Sequence, residues 1–294
     1  MSFLEHTSFP LITADGAAVQ LTRWPFDTKR PVLHWTHATG FNSKTYTPLL
    51  NMLAPHFNVQ SWDLRGHGES RSAANPKTFR GWSTYYNDLV AVLDQANEPM
   101  WLAGHSIGAT TSLAAASMRP EKVKGLILVE PVLLDPKQGF ALRLANWFGF
   151  ADRIAMAAAA ARRRASFATH TEAFENYRSK KAFSTWSDEW LNAYVQHGFV
   201  PTNNNEVELA CPPSWESLTF QHTEPNAARW IRDPGCPIHI LAAAKGSTFP
   251  ATAHARIQKR LPNARIEVLA DATHFLPMEH TDLVVQRIRE VAGV

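Results

Sequence analysis

The sequence predicts an α/β fold: a mostly parallel central sheet covered by helices on both faces, with a helical segment inserted late in the chain. Three observations predict it. Short apolar, β-branched runs alternate with helical spacings over residues 31–131 and again over 237–291. Residues 132–232 break that rhythm: they are rich in helical spacings, Trp and Phe, and carry no alternating strand pattern. The break follows directly on a strand-like run, so the insertion leaves the sheet at a strand's C-terminal end, where open α/β sheets place their sites. The expected organisation is therefore a core of residues 1–131 and 233–294 with a helical cap of residues 132–232.

The elements follow in order. Residues 9–13 and 19–24 are strand-like, and Asp15-Gly16 supplies a hairpin turn between them. Residues 31–37 form an apolar strand, 46–53 have helical spacing, and 57–63 form a second buried strand that runs into a Gly-rich loop. Residues 85–96 place Leu89, Val92 and Leu93 on one helical face. Strand 100–104, the Ala-rich helix 107–118 and strand 125–130 complete the first part. After the insertion come strands 237–243 and 265–269, with a helix near 252–260 between them, and a closing helix over 282–291. No repeat of fixed period is present.

Composition limits the function classes. The chain has 294 residues, 45% hydrophobic and 19% charged, which predicts a filled globular core and not disorder. A formal charge of +3 does not call for a nucleic-acid partner. Two cysteines, Cys211 and Cys236, make no disulfide framework, so a reducing compartment is expected. The opening Met1-Ser-Phe-Leu-Glu-His-Thr lacks the basic-then-apolar order of a signal peptide. No stretch matches the roughly 20 apolar residues of a membrane span. The nearest, residues 141–161, is interrupted by Arg143, Asp152 and Arg153. The expectation is a soluble, cytoplasmic protein without stable membrane insertion, acting on a small molecule; nothing in the sequence sets an oligomeric state.

Gly104-His105-Ser106-Ile107-Gly108 lies between a strand run and a helix run. A serine there stands on a tight turn that pushes its Oγ into the open, and the flanking glycines let the backbone pass its neighbours closely. The next N–H, that of Ile107, falls at a helix N-terminus and suits a developing negative charge. A serine hydroxyl needs a base. His274, in Asp271-Ala-Thr-His-Phe, follows the last strand run and precedes the last helix, which puts it on the same edge of the sheet as Ser106.

His37-Ala-Thr-Gly-Phe41, Asp63-Leu-Arg-Gly-His-Gly-Glu-Ser70, the Ser106 turn and the His274 loop together resemble a capped serine hydrolase of the α/β-hydrolase fold family, esterase- or lipase-like. The resemblance covers the core and matches the cap only in position. It implies Ser106 as nucleophile and His274 as base, with oxyanion N–H groups from Ile107 and from Thr39, two residues after His37. Ala38 stands where the family usually has glycine, and Gly40 follows one step later, so Gly40 is the alternative donor. Phe41 and His105, beside the two donors, are candidates for the substrate wall. The loop 63–70 reads as structural, with Gly66 and Gly68 free to take φ > 0 and Asp63 and Arg65 tying it together.

The acid departs from the family's pattern. Its usual place falls near Gly246, and no Asp or Glu occurs between Asp233 and Glu267. The family's alternative place, just after the strand that follows the Ser106 helix, holds Glu130, and Ser106, Glu130, His274 keep the family's chain order. A carboxylate at a buried strand end is costly without a partner, which itself points to a paired role. Asp135 is the fallback, Ser247 and Thr248 are neutral substitutes, and Glu279 is expected to serve the start of the final helix.

Other patterns carry less. Lys245-Gly-Ser-Thr lacks the order of a phosphate loop, and His274 with His280 lacks the spacing of a helical zinc pair, so neither a cofactor nor a metal is expected. Arg162-Arg-Arg164 reads as the solvated end of a cap helix, with an acidic substrate group as the sharper alternative. Residues 141–161 read as one packed cap helix, with a lid that touches lipid as the alternative. The resemblance implies hydrolysis of a hydrophobic carboxylic ester through an acyl-serine. Lactone, thioester or C–C cleavage would use the same machinery, acyl transfer to an alcohol differs only in excluding water, and a non-catalytic binding protein is the third class.

Overall fold

The computed structural model describes residues 6–227 and 231–294. Of residues 1–7, on which the signal-peptide reading rests, positions 1–5 lie outside the described residues, as do positions 228–230 of the expected cap.

The chain opens with the expected hairpin, β1 (Thr7–Ile12) against β2 (Ala18–Arg23), turning at Gly16 with φ 82°. There follow β3 (Val32–Thr36), α1 (Thr47–Leu53), β4 (Asn58–Trp62), α2 (Trp82–Asp94), β5 (Met100–His105), α3 (Ile107–Met118) and β6 (Val123–Val129). The insertion carries α4 (Pro136–Trp147), α5 (Ala155–Ala161), β7 (Ser166–Phe167), α6 (His170–Arg178), α7 (Asp188–His197), β8 (Phe199–Pro201), β9 (Val207–Leu209) and α8 (Pro213–Gln221). The chain then completes the main sheet with β10 (Ile238–Ala243), α9 (Ala251–Arg260) and β11 (Arg265–Leu269), and closes with α10 (Leu276–Glu279) and α11 (Thr281–Ala292).

The main sheet has the order β1-β2-β4-β3-β5-β6-β10-β11; the pairs from β4 onward are parallel and those made by β2 are antiparallel. β4 and β5 are buried at every residue, as central strands covered on both faces must be. One face packs Leu89 and Leu93 of α2, Leu113 of α3 and Ile257 of α9. The other packs Leu49, Leu50 and Leu53 of α1 with Val284 and Ile288 of α11. The alanines of α3 have a physical reason: the helix is buried from Ile107 through Ala116, and small side chains let it press onto the sheet.

Two expectations for the insertion are corrected. It is not free of strands: β7, β9 and β8 form a small antiparallel sheet, in strands of two or three residues that are too short to show an alternation. Nor is 141–161 one packed helix. α4 ends in a Schellman turn, with Gly149 at φ 74° and the Phe150 N–H donating to the Ala145 carbonyl at 2.8 Å, and α5 starts afresh beyond it. Among the described residues no helix is long and apolar enough to cross a membrane. Both cysteines are free.

Candidate active site

β5 ends at His105 and α3 begins at Ile107, so Ser106 makes the turn between them, at φ 58° and ψ −122°. A non-glycine residue held there stores about 1–3 kcal/mol, sustained only where the surroundings fix it. They do: the Ser106 N–H donates to the Val129 carbonyl at 3.0 Å, and its carbonyl accepts the Thr110 N–H at 3.1 Å. A Cβ at Gly108 would lie 2.1 Å from the Thr36 carbonyl oxygen, and one at Gly104 2.6 Å from the Gly108 carbonyl carbon. Both contacts are with backbone, so neither position accepts a side chain. Ile107, first in α3, presents an N–H with no intrahelical acceptor at the positive end of the helix.

Glu130 follows β6 directly and takes φ 49°, a bend that carries its side chain across the ends of β6 and β10. The carboxylate is fully buried and fully partnered. Oε1 accepts the Ala243 N–H at 2.5 Å and the Ser247 hydroxyl at 2.8 Å. Oε2 accepts the Thr248 N–H at 3.1 Å and lies 3.1 Å from His274 Nδ1. On the other side of the ring, His274 Nε2 lies 3.0 Å from Ser106 Oγ. A carboxylate only accepts, so the proton of a neutral His274 sits on Nδ1 and the lone pair of Nε2 faces the serine hydroxyl.

The loop 37–41 runs beside this line. His37 Nδ1 donates to the Ala38 carbonyl at 2.8 Å and its Nε2 accepts the Leu64 N–H at 2.9 Å; burial pushes its pKa down to about 4, so the ring is a neutral strut.

The sequence profile of the alpha/beta hydrolase fold matches residues 36–281, most of the chain and every residue just described. The chain belongs to the α/β-hydrolase fold family. Monoglyceride lipase of Rattus norvegicus is 28% identical over 142 residues, covering 46% of this chain and 46% of that protein, so this match spans under half of the lipase's length. The 2-(acetamidomethylene)succinate hydrolase of Mesorhizobium japonicum is 21% identical over 264 residues, 88% of this chain and 86% of that protein. Among solved structures, E-2-(acetamidomethylene)succinate hydrolase superposes with a TM-score of 0.76 at 17% identity, over 99% of this chain and 100% of that one. The thioesterase domain from the curacin biosynthetic pathway also reaches 0.76, at 18% identity over 97% and 99%. At these identities the likeness to the two structures is one of fold.

The α/β-hydrolase family's usual acid position is filled by a turn in which Gly246 takes φ 61°, and its neighbours Ser247 and Thr248 donate to Glu130. Thr248 Oγ1 also lies 3.3 Å from His274 Nδ1. Asp135, the fallback, is engaged elsewhere: it caps α4, accepting the Lys137 and Gln138 N–H groups and the Thr252 hydroxyl. Glu279 does not serve the final helix. It accepts the Thr273 N–H and hydroxyl, each at 2.7 Å, and the Thr185 hydroxyl of the insertion, so it braces the residue before His274. The loop 63–70 is structural as expected: buried Asp63 accepts the Ser43 and Glu69 N–H groups, and Arg65 forks onto Asp88 and Asp15. Arg162 and Arg164 are exposed, as expected, but Arg163 is largely covered. It pairs with Glu216 and donates to the Tyr177 and Tyr194 hydroxyls, closing four segments of the insertion around Gly40. Among the described residues no group of three His, Cys, Asp or Glu is placed to hold a metal.

His105, expected on the substrate wall, lies behind it. The ring is fully buried, and burial, then the adjoining His274, pushes its pKa well down, so it is neutral. Its Nε2–H donates to the His274 carbonyl at 2.7 Å, so Nδ1 must accept, and the Tyr46 hydroxyl supplies that bond at 2.7 Å. Tyr46 Oη in turn accepts the Ala38 N–H at 3.2 Å. The chain of bonds ties the serine turn, the histidine loop and the 37–41 loop to one another. No sequence signal marks Tyr46 for this role, because its partners come from three separate segments. Phe41 is buried too, its ring 5.4 to 6.3 Å from those of Tyr46, Trp186, Tyr194 and Phe275, in an aromatic cluster shared with the insertion. Tyr46→Phe leaves the Ala38 N–H and His105 Nδ1 without partners and is expected to cost about 1–3 kcal/mol of stability, measured by denaturant unfolding. Unchanged stability would show that the hydroxyl ties nothing.

Proposed function

We propose that the protein hydrolyses a hydrophobic small-molecule carboxylic ester through an acyl-enzyme on Ser106. The observation that carries the reading is the line of contacts through His274, 3.0 Å to Ser106 Oγ on one side and 3.1 Å to Glu130 on the other. Ser106 Oγ attacks the ester carbonyl as its proton passes to His274 Nε2, and the carbonyl oxygen becomes the oxyanion held by the N–H groups of Ile107 and Thr39. Collapse expels the alcohol, which takes the proton from Nε2. Water then attacks the acyl-serine, gives a proton to Nε2, and the acid leaves as that proton returns to Ser106. Glu130 fixes the tautomer of His274 and stabilises its charged form; it does not take the proton.

Residues 132–232 act as a cap in this reading. Ser106 is only 7% exposed, and the cluster of Phe41, Trp186, Tyr194 and Phe275 supplies apolar surface between the cap and the core. In this reading the substrate is held beside that apolar cluster, which favours an apolar acyl or alcohol group over a charged one. The test is a panel of p-nitrophenyl esters of graded acyl length, with acid-quenched samples read by peptide mass. Turnover of medium apolar esters with the acyl mass on the Ser106 peptide is expected. No turnover of any ester, or product formed only when an alcohol acceptor is added, would contradict hydrolysis.

A further inference from the structure

Among the described residues, six of the twelve exposed large hydrophobics fall between positions 140 and 156, a concentration that scattered surface residues do not show. Phe140, Leu144 and Trp147 lie on α4 and Phe148 is its C-cap, at i, i+4, i+7 and i+8, which is one stripe of a helix. The stripe points away from the protein. Trp147 is 85% exposed, Phe148 is 60% exposed, and Gly139 is the one buried residue of α4. Phe150 extends the stripe past the helix end. An isolated helix of this length is marginal in water unless its apolar face is covered. α4 is nevertheless capped at both ends, by the Asp135 capping box and the Schellman turn at Gly149, so its sequence commits to a helix whose apolar side is outward.

The charge around the stripe decides what covers it. From residue 136 to 164 Asp152 is the only acid, against Lys137, Arg143, Arg153 and Arg162 to Arg164. Arg163 and Arg164 are spent on Glu216 and Glu172. Arg143 and Arg162 make no ion pair among the described residues, and Arg153 lies over the Phe150 ring at 4.7 Å. A second copy of the chain, meeting this face by two-fold symmetry, would set one net-basic face against another. An anionic lipid surface meets both features at once: apolar depth for Trp147 and Phe148, and negative headgroups for the rim.

We infer that the outward face of α4 docks this protein peripherally on anionic lipid surfaces. The helix lies in the interface plane with Trp147, Phe148 and Phe150 in the headgroup boundary and Arg143, Arg153 and Arg162 among the phosphates. The docking requires nothing of the reaction at Ser106, so its test reads binding alone.

The test is co-flotation of the whole chain with vesicles of equal parts phosphatidylcholine and phosphatidylglycerol, and with vesicles of phosphatidylcholine alone. The wild type is expected to float with the anionic vesicles, roughly tenfold more than with the neutral ones. The pair W147S and F148S is expected to lose most of that binding. The pair R143E and R153E is expected to lose the preference for anionic vesicles. Both variants should keep the wild-type thermal midpoint, since the residues they change are exposed. Three results would overturn the inference: no flotation of the wild type, flotation that survives both variants, or a dimer in solution that W147S and F148S disperses.

Discussion

Ser106→Ala and His274→Ala are each expected to cut turnover between about ten-thousand-fold and about a million-fold with little change in KM. The size follows from the geometry. His274 Nε2, at 3.0 Å from Ser106 Oγ, is the base within reach of that hydroxyl, and an alcohol unaided is a poor nucleophile at neutral pH. The two groups act as one unit, so the double variant is expected to lose no more than either single one. In the proposed mechanism the remaining acceleration comes from the Ile107 and Thr39 N–H groups, which neither substitution touches. Steady-state kinetics on the best ester of the panel checks this. Losses that multiply in the double variant would mean that Ser106 and His274 work separately.

Glu130→Gln is expected to lower kcat by roughly ten-thousand-fold, the loss seen when a triad acid becomes an amide and the histidine takes the wrong tautomer. A second effect accompanies it. Every partner of this carboxylate is a donor: the Ala243 and Thr248 N–H groups, the Ser247 hydroxyl and His274 Nδ1. Whichever way the amide turns, its NH2 faces another donor, so about 1–3 kcal/mol of stability should go as well. Asp135→Asn is the matching control. Asparagine caps a helix as well as aspartate does, so α4 keeps its start and the activity stays near wild type. Near-normal turnover in Glu130→Gln would remove Glu130 from the mechanism, and a large loss in Asp135→Asn would point to a rearranged loop.

How far the chain could be read in advance depends on the range of the interactions involved. The strands and helices of the core are legible because each buries a face set by its own periodicity: β5 as an apolar run, α2 through Leu89 and Leu93. Ser106 is legible because a turn between a buried strand and a buried helix tolerates only small flanking residues, and Gly104 and Gly108 supply them. Glu130 is legible only through the resemblance, as the carboxylate at the family's alternative acid place just after the strand that follows the Ser106 helix. What escapes the sequence is held by pairs distant along it. His105 bonds to Tyr46 and to the His274 carbonyl, and nothing local to a Gly-x-Ser-x-Gly turn indicates whether its first variable side chain faces the substrate or the protein. Arg163 looks like a helix-end charge until Glu216, Tyr177 and Tyr194 arrive from three other segments. The break at Gly149 was visible as a residue, but the alanines on either side conceal it within one continuous helical spacing.

The most direct test of the central claim is intact-mass analysis after incubation with a fluorophosphonate probe, with Ser106→Ala as the control. The contacts of Ser106, His274 and Glu130 predict a single adduct on the wild type that is absent from Ser106→Ala and strongly slowed in His274→Ala. A wild type that takes no adduct, or one that persists in Ser106→Ala, would contradict an activated serine at this position.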